Sequence, residues 1–243
     1  MPKLPSWLAN TVEKLISNKI VQVEVLEAKM LSHNIKSVTF KGDFYETEFI
    51  PGMEILFRVN ANEYRHYTVS RFNREDQTCE VIFYLNRRGP GNTFAENIQC
   101  GDQLKLIIDK ARVKYNNGSS QHFFFGDETS IGLYESLGKK AVEMDEEYFG
   151  ILELDEENFE ALNCIKLLID AVPVDKNTPA ERAIQWMENM HPKCWEMWQY
   201  ATFYLTGRAK SVQQFKKYLK QRGVGFNQIV TMPYWEIGKI GGA

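Results

Sequence analysis

The sequence predicts a β + α/β protein: an N-terminal six-stranded antiparallel β-barrel followed by a C-terminal parallel-sheet α/β domain. Three observations predict it. From Val21 to Ile108, short β-branched and aromatic runs recur between turn signals, with no helical period of any length before Asn92. From His122 onward the pattern changes to strand–helix alternation, which builds a parallel sheet covered on both faces. Between the two, Lys114–Ser120 is polar and contains Asn116-Asn117-Gly118-Ser119-Ser120, the composition of a linker. The chain of 243 residues fits one large or two modest domains, and 44% apolar residues supply a sizeable core. The expected boundaries are a helical extension over 1–19, the barrel over 20–112 and the α/β domain over 121–243.

Ser6–Ile16 carries Trp7, Leu8, Val12, Leu15 and Ile16 on one helical face, with Ser6 as its cap; a short docking helix suits it better than a membrane anchor. Val21–Leu26 and Ile35–Phe40 read as the first two strands, followed by a turn at Lys41-Gly42-Asp43. A second turn at Pro51-Gly52 leads into Met53–Val59, Tyr64–Ser70, Thr78–Leu85 and Gln103–Ile108. A short helix over Asn92–Ile98 interrupts the series before its last strand. In the second half His122–Phe125, Phe149–Leu154, Leu167–Val172, Tyr200–Leu205 and Gln228–Met232 read as strands. Ile131, Tyr134 and Leu137 mark one helix and Ala180–Met190 another. Val212, Phe215 and Leu219 mark a third, which ends at Gly223.

Two stretches of the first half can hold a ligand. Arg65-His66-Tyr67-Thr68-Val69 places a planar guanidinium, a phenol and a hydroxyl close together. That set suits a diphosphate, a polyol and a fused aromatic ring, the parts of FAD; it also fits an amphipathic strand with surface charges. Arg87-Arg88-Gly89-Pro90-Gly91-Asn92-Thr93 brings two glycines and a hydroxyl to a helix N-terminus. There, bare N–H groups and the helix dipole favour an anion; a plain Gly-Pro loop capped by Asn92 has the same composition. In the second half Gly126-Asp127-Glu128-Thr129 is a tight turn where a first strand meets a first helix, the place where α/β domains take nucleotides. No G-x-G-x-x-G occurs.

Composition excludes several classes. A net charge of −3 gives no basic nucleic-acid surface. The four cysteines are scattered without C-x-x-C, so neither a zinc knuckle nor a redox dithiol is expected. The four histidines lack metal-ligand spacing, so no metal site is expected. No apolar run approaches the roughly 18 residues of a membrane span, and no signal-peptide core is visible. The expected location is the cytoplasm.

The order of these parts resembles the siderophore-interacting protein family, FAD-dependent ferric-siderophore reductases of the ferredoxin reductase superfamily. Four pieces carry the resemblance: Arg65-His66-Tyr67-Thr68-Val69; Gly89-Pro90-Gly91-Asn92-Thr93-Phe94-Ala95 with Gly101-Asp102; Phe125-Gly126-Asp127-Glu128-Thr129; and Leu205-Thr206-Gly207, a basic helix, then Tyr234-Trp235-Glu236-Ile237-Gly238. It spans about residues 20 to 240. It implies that Arg65 clamps the FAD diphosphate, that Tyr67 lines the flavin and ribityl chain, and that Thr68 hydrogen-bonds near the flavin N5 edge. His66 and Val69 belong to the same binding strand. Gly89, Gly91, Asn92 and Thr93 would hold the diphosphate from the other side. Gly126, Asp127, Glu128 and Thr129, with Gly207, would face NADH or NADPH, and Tyr234 and Trp235 would close the site near the ring. Ferric siderophores are often anionic, and Arg87, Arg88 and Lys239 are the candidate residues to attract them.

The implied reaction is reduction of an Fe(III)-siderophore to Fe(II), with electrons from NAD(P)H through FAD and no catalytic side chain of the protein's own. A reduced ferredoxin is an alternative donor. Two other functions fit the same parts: a related flavin oxidoreductase that passes electrons to a protein partner, and a non-catalytic FAD- or siderophore-binding protein. The acids Glu153–Glu157 at the end of the second α/β strand favour a ribose 2′-hydroxyl, hence NADH. The chain departs from the family at Arg208, where an acid usually follows the glycine, and at Asn86-Arg87-Arg88, where a histidine and glycine are frequent. Both bear on donor choice and substrate fit. Strand geometry adds one expectation. Arg65 and Tyr67 share a face and Thr68 does not, so contact of both Tyr67 and Thr68 with one flavin requires an irregularity near Thr68.

Overall fold

The computed structural model describes residues 19–85 and 89–238. The expected N-terminal helix over 6–16 lies outside the described residues, as do Arg87, Arg88 and Lys239. The chain divides into two units, Met1–Arg112 and Val113–Ala243.

The first unit is a closed barrel of six antiparallel strands in the order β1-β2-β5-β4-β3-β6. They are β1 (Ile20–Met30), β2 (Ile35–Gly42), β3 (Glu54–Asn60), β4 (Glu63–Asn73), β5 (Thr78–Tyr84) and β6 (Gln103–Asp109). Alternate residues fill the interior: Val23 and Val25, Val38 and Phe40, Ile55 and Phe57, Val81 and Phe83 are all buried together. Gly52, with φ +80°, supplies the left-handed residue of the Pro51-Gly52 turn.

β4 changes partner along its length. Tyr64–Thr68 pair with β3, whereas Val69–Asn73 pair with β5. The β5 register slips between Val69 and Arg71, which places a bulge at Ser70. The expected irregularity therefore falls two positions later than Thr68, and the strand itself runs unbroken.

A helix, α1 (Gly89–Asn97), precedes β6. It starts three residues before the expected Asn92. Its last turn carries no basic residue of its own. Lys36 of β2 takes that part: its Nζ donates to the carbonyls of Ala95, Glu96 and Ile98 at 2.9, 3.1 and 2.7 Å. A cation at the carbonyl end of a helix satisfies orphan acceptors and opposes the dipole.

The second unit is a five-stranded parallel sheet in the order β11-β10-β7-β8-β9. Its strands are β7 (Gln121–Asp127), β8 (Glu147–Leu154), β9 (Asp170–Pro173), β10 (Thr202–Arg208) and β11 (Ile229–Trp235). One face packs on α2 (Ile131–Glu143), where Phe124 stacks on Tyr134 at 4.7 Å. The other face packs on α4 (Glu181–Glu188) and α6 (Ala209–Gln221), where Phe125 stacks on Phe215 at 4.0 Å. Two short helices, α3 (Glu160–Ile165) and α5 (Pro192–Trp198), complete the connections. The sequence periodicity shows neither, because six or seven residues hold less than two turns. The third strand is also shorter than expected, Asp170–Pro173 rather than Leu167–Val172, since the chain up to Ile169 is still leaving α3.

Candidate functional site

The barrel gathers one group of residues where α1 begins. Gly91 lies so close to β4 that a Cβ added there would sit 2.9 Å from Tyr67 Oη and 3.2 Å from Arg65 Cγ. Any larger residue would have to displace those two side chains. The Tyr67 hydroxyl donates to the Gly91 carbonyl at 3.4 Å. Its ring is wedged edge-on against Phe83 at 4.7 Å, and burial pushes the phenol well above its ordinary range, the Arg65 charge opposing. The Arg65 guanidinium is held by Glu63 at 2.8 Å and donates to the Tyr64 carbonyl at 2.9 Å. With five N–H donors it keeps capacity for an anion. Gly89 has φ +79° and open space around it. Because α1 begins at Gly89, the bare N–H groups of its first turn belong to Gly89 and Gly91, while Pro90 has none. Asn92 is buried within the helix rather than capping it, and Thr93 is exposed.

His66 and Thr68 occupy the opposite face of β4. His66 Nδ1 lies 3.1 Å from Glu54 Oε2 and 3.5 Å from Asp109 Oδ2, and Thr68 is directly across the ladder from Glu54. Val69 is buried in the barrel core, and its N–H donates to the Met53 carbonyl.

In the α/β unit the organising group is the Asp127 carboxylate at the end of β7. Its Oδ1 accepts from the Thr129 N–H at 2.9 Å and from the Thr129 hydroxyl at 2.5 Å. Its Oδ2 accepts from the Arg208 N–H and from the Trp235 indole N–H, both at 2.7 Å. Burial pushes the Asp127 carboxyl above its ordinary value against the pull of these bonds. Two glycines make room for the arrangement. A Cβ at Gly126 would lie 2.4 Å from Ser130 Oγ. Gly207 has φ +95°, and a Cβ there would lie 2.5 Å from Asp127 Oδ2. Tyr234, the neighbour of Trp235, is half-buried. Strands β7 and β10 flank the point where strand order reverses, the crevice in which open α/β sheets take their ligands.

Glu128 and Glu153 turn inward. Glu128 Oε1 accepts from the Asp155 N–H at 2.7 Å and from Asn158 Nδ2 at 3.2 Å. Glu153 Oε1 accepts from the Ala180 N–H at 2.9 Å. Burial raises both carboxyls to about 7. Glu153 is therefore spent on its own fold, and Asp155 is the first acid beyond β8 that reaches the surface. Arg208 is buried as well: its guanidinium donates to the carbonyls of Asp175 and Lys176 at 3.4 and 3.0 Å. It straps the chain between β9 and α4 to the end of β10.

The structure thus brings Arg65, Tyr67 and Gly91 together in one unit, and Gly126, Asp127, Thr129, Gly207 and Trp235 together in the other. The sequence reading missed Lys36, Glu54 and Asp109. Lys36 carried no local signal, since its strand also holds Ser37, Thr39 and Lys41.

No protein-family model matches the sequence, and no curated protein matches it. Solved structures do. The siderophore-interacting protein SipS from Aeromonas hydrophila superposes with a TM-score of 0.72 at 15% identity, over 91% of this chain and 93% of its own. A siderophore utilization protein from T. fusca gives 0.70 at 17% identity, over 92% and 95%. The ferredoxin reductase in carbazole 1,9a-dioxygenase gives 0.73 at 16% identity, over 88% of this chain and 68% of its own. At these identities the likeness is one of fold: barrel and parallel sheet follow one another here as they do in siderophore-interacting proteins and ferredoxin reductases.

Proposed function

We propose that this chain binds FAD on its barrel and uses it to reduce ferric siderophores to the Fe(II) state, with electrons from NADH or NADPH. The observation that carries the reading is the convergence of Arg65, Tyr67 and Gly91 at the start of α1. A diphosphate needs a cation and bare N–H groups; Arg65 provides the first, and Gly89 and Gly91 the second. The close contact between Gly91 and Tyr67 fills that flank of the group. Glu63 pins the guanidinium so that less side-chain freedom is lost on binding.

When bound, FAD supplies the redox chemistry, accepting two electrons from a nicotinamide and passing them singly to iron. The chain's own groups bind and orient. In the α/β unit, the side chains of Asp127 and Glu128 and the Thr129 N–H are committed to the fold, so Gly126–Thr129 shape the wall of the crevice. Trp235 is fixed in place by Asp127 and presents the rest of its ring. Siderophores hold Fe(III) far more tightly than Fe(II), so reduction frees the metal. The fold shared with proteins named for siderophore interaction and utilization supports the substrate class. A comparable fit to a ferredoxin reductase supports a second reading, in which the electron partner is a ferredoxin.

The test is anaerobic turnover of FAD-loaded protein with NADH or NADPH, a ferric siderophore and a ferrous-specific chelator. Coloured ferrous chelate should accumulate only with all components present. Flavin that is reduced yet yields no ferrous chelate contradicts the substrate assignment and favours the protein partner.

A further inference from the structure

Side chains alternate across the barrel wall, and Ile55, Tyr67 and Ile108 pack inward. Their neighbours Glu54, His66 and Asp109 therefore stand together on the other face, each from a different strand. One ligand atom from each, an imidazole nitrogen and two carboxylate oxygens, lies within 4.8 Å of the other two.

We propose that Glu54, His66 and Asp109 form a binding site for a divalent first-row transition-metal ion. The site stands on its own geometry. That the ion is ferrous iron, the product of the reaction, rests on the function proposed above.

Three observations support the site. The first is spacing. Ligand atoms about 2.1 Å from a metal, at tetrahedral or octahedral angles, are about 3.0–3.5 Å from each other. His66 Nδ1 is 3.1 Å from Glu54 Oε2 and 3.5 Å from Asp109 Oδ2. The second is that this nitrogen is buried and neither carboxylate makes a hydrogen bond with it. The oxygens flank it as co-ligands do. The third is charge. The Glu54 carboxylate is 3% exposed, and a carboxylate so buried needs a cation. Arg112 Nε supplies one at 2.7 Å from Glu54 Oε2, so one guanidinium faces a site with two carboxylates. Arg112 and Asp109 are both partly open to solvent, so the guanidinium can swing away and an ion can enter past Asp109.

One imidazole and two carboxylates suit Mn(II), Fe(II) or Zn(II), and three protein ligands leave positions for water or an arriving ion. Thr68 shares this face and pairs with Glu54. If Thr68 contacts the flavin edge, the site takes the ferrous ion close to where it is formed.

The experiment is anaerobic equilibrium dialysis of the purified protein against Fe(II), and separately Mn(II), with metal counted per chain. Flavin content is read from the absorbance of the same samples, so that metal binding and flavin binding fail independently. One ion per chain is expected. Affinity should fall at least about tenfold in His66→Ala and in Asp109→Asn, and rise in Arg112→Gln, which removes the competing cation. Asp109 is partly exposed, so its variant folds even where His66→Ala does not. The proposal is overturned if the wild-type chain binds no ion, or if Asp109→Asn binds as the wild type does.

Discussion

The indole N–H of Trp235 donates to the carboxylate of Asp127 at 2.7 Å, joining the end of β11 to the end of β7. The same carboxylate holds the Arg208 N–H and both donors of Thr129. Asp127→Asn should therefore remove more than one bond, because each carboxylate oxygen accepts from two donors and the amide nitrogen replaces one of the oxygens. We expect a loss of about 2–4 kcal/mol in urea unfolding, together with a red shift of tryptophan emission. A change within about 0.5 kcal/mol would mean that the hub is not a stabilising centre.

Gly91→Ala tests the barrel half. The added methyl has to push aside Tyr67 Oη and the Arg65 stem. FAD affinity should drop by about tenfold or more, while the barrel unfolds at nearly the wild-type urea concentration. Unchanged flavin retention would separate α1 from cofactor binding.

Glu153 gives a pH dependence with a definite sign. Its carboxyl titrates near 7 in the fold because of burial, against an ordinary value of 4.5. Between those values the folded chain keeps a proton that the unfolded chain has released, so stability falls as pH rises through this window. Glu128 acts in the same direction. Glu153→Gln keeps an acceptor for the Ala180 N–H and removes the titration. The variant should be more stable than the wild type at pH 8, by about 1–3 kcal/mol, and nearly equal to it at pH 4.5. Urea unfolding at both pH values checks this; equal pH slopes for the two proteins would refute it.

Arg208 holds the chain beyond β9 through the carbonyls of Asp175 and Lys176. Arg208→Ala should free that segment. Amide exchange at Asn177 and Thr178 should quicken by about tenfold or more, with β7 unaffected. If the strap also limits entry to the crevice, NADH binding by calorimetry should tighten in the same variant. Unaltered exchange would show that the Asp175 side chain, which caps Asn177 and Thr178, holds the loop alone.

Much of the fold was legible in the sequence because it is written in short-range periodicity. Val38 and Phe40, or Ile55 and Phe57, announce inward faces two residues apart. Phe123-Phe124-Phe125 announces a strand buried on both sides. The start of α1 was misjudged because glycine and proline normally break helices, whereas here Gly89 and Pro90 form the first turn, where a missing donor costs nothing. Of the site, the glycines at 91, 126 and 207 were visible as motif members, but their reason was not: Gly91 and Gly207 make room for side chains distant in sequence, and Gly126 for Ser130 one helical turn on. Lys36 at the end of α1, Trp235 on Asp127 and the Glu54–His66–Asp109 group are pairings made by topology, which no local pattern encodes.

The most direct measurement is the absorption spectrum of the purified full chain, reconstituted with FAD, before and after anaerobic addition of a nicotinamide dinucleotide. The account predicts the yellow absorption of a bound oxidised flavin, and bleaching of its longest-wavelength band on adding the donor. A protein that stays colourless after reconstitution would contradict it.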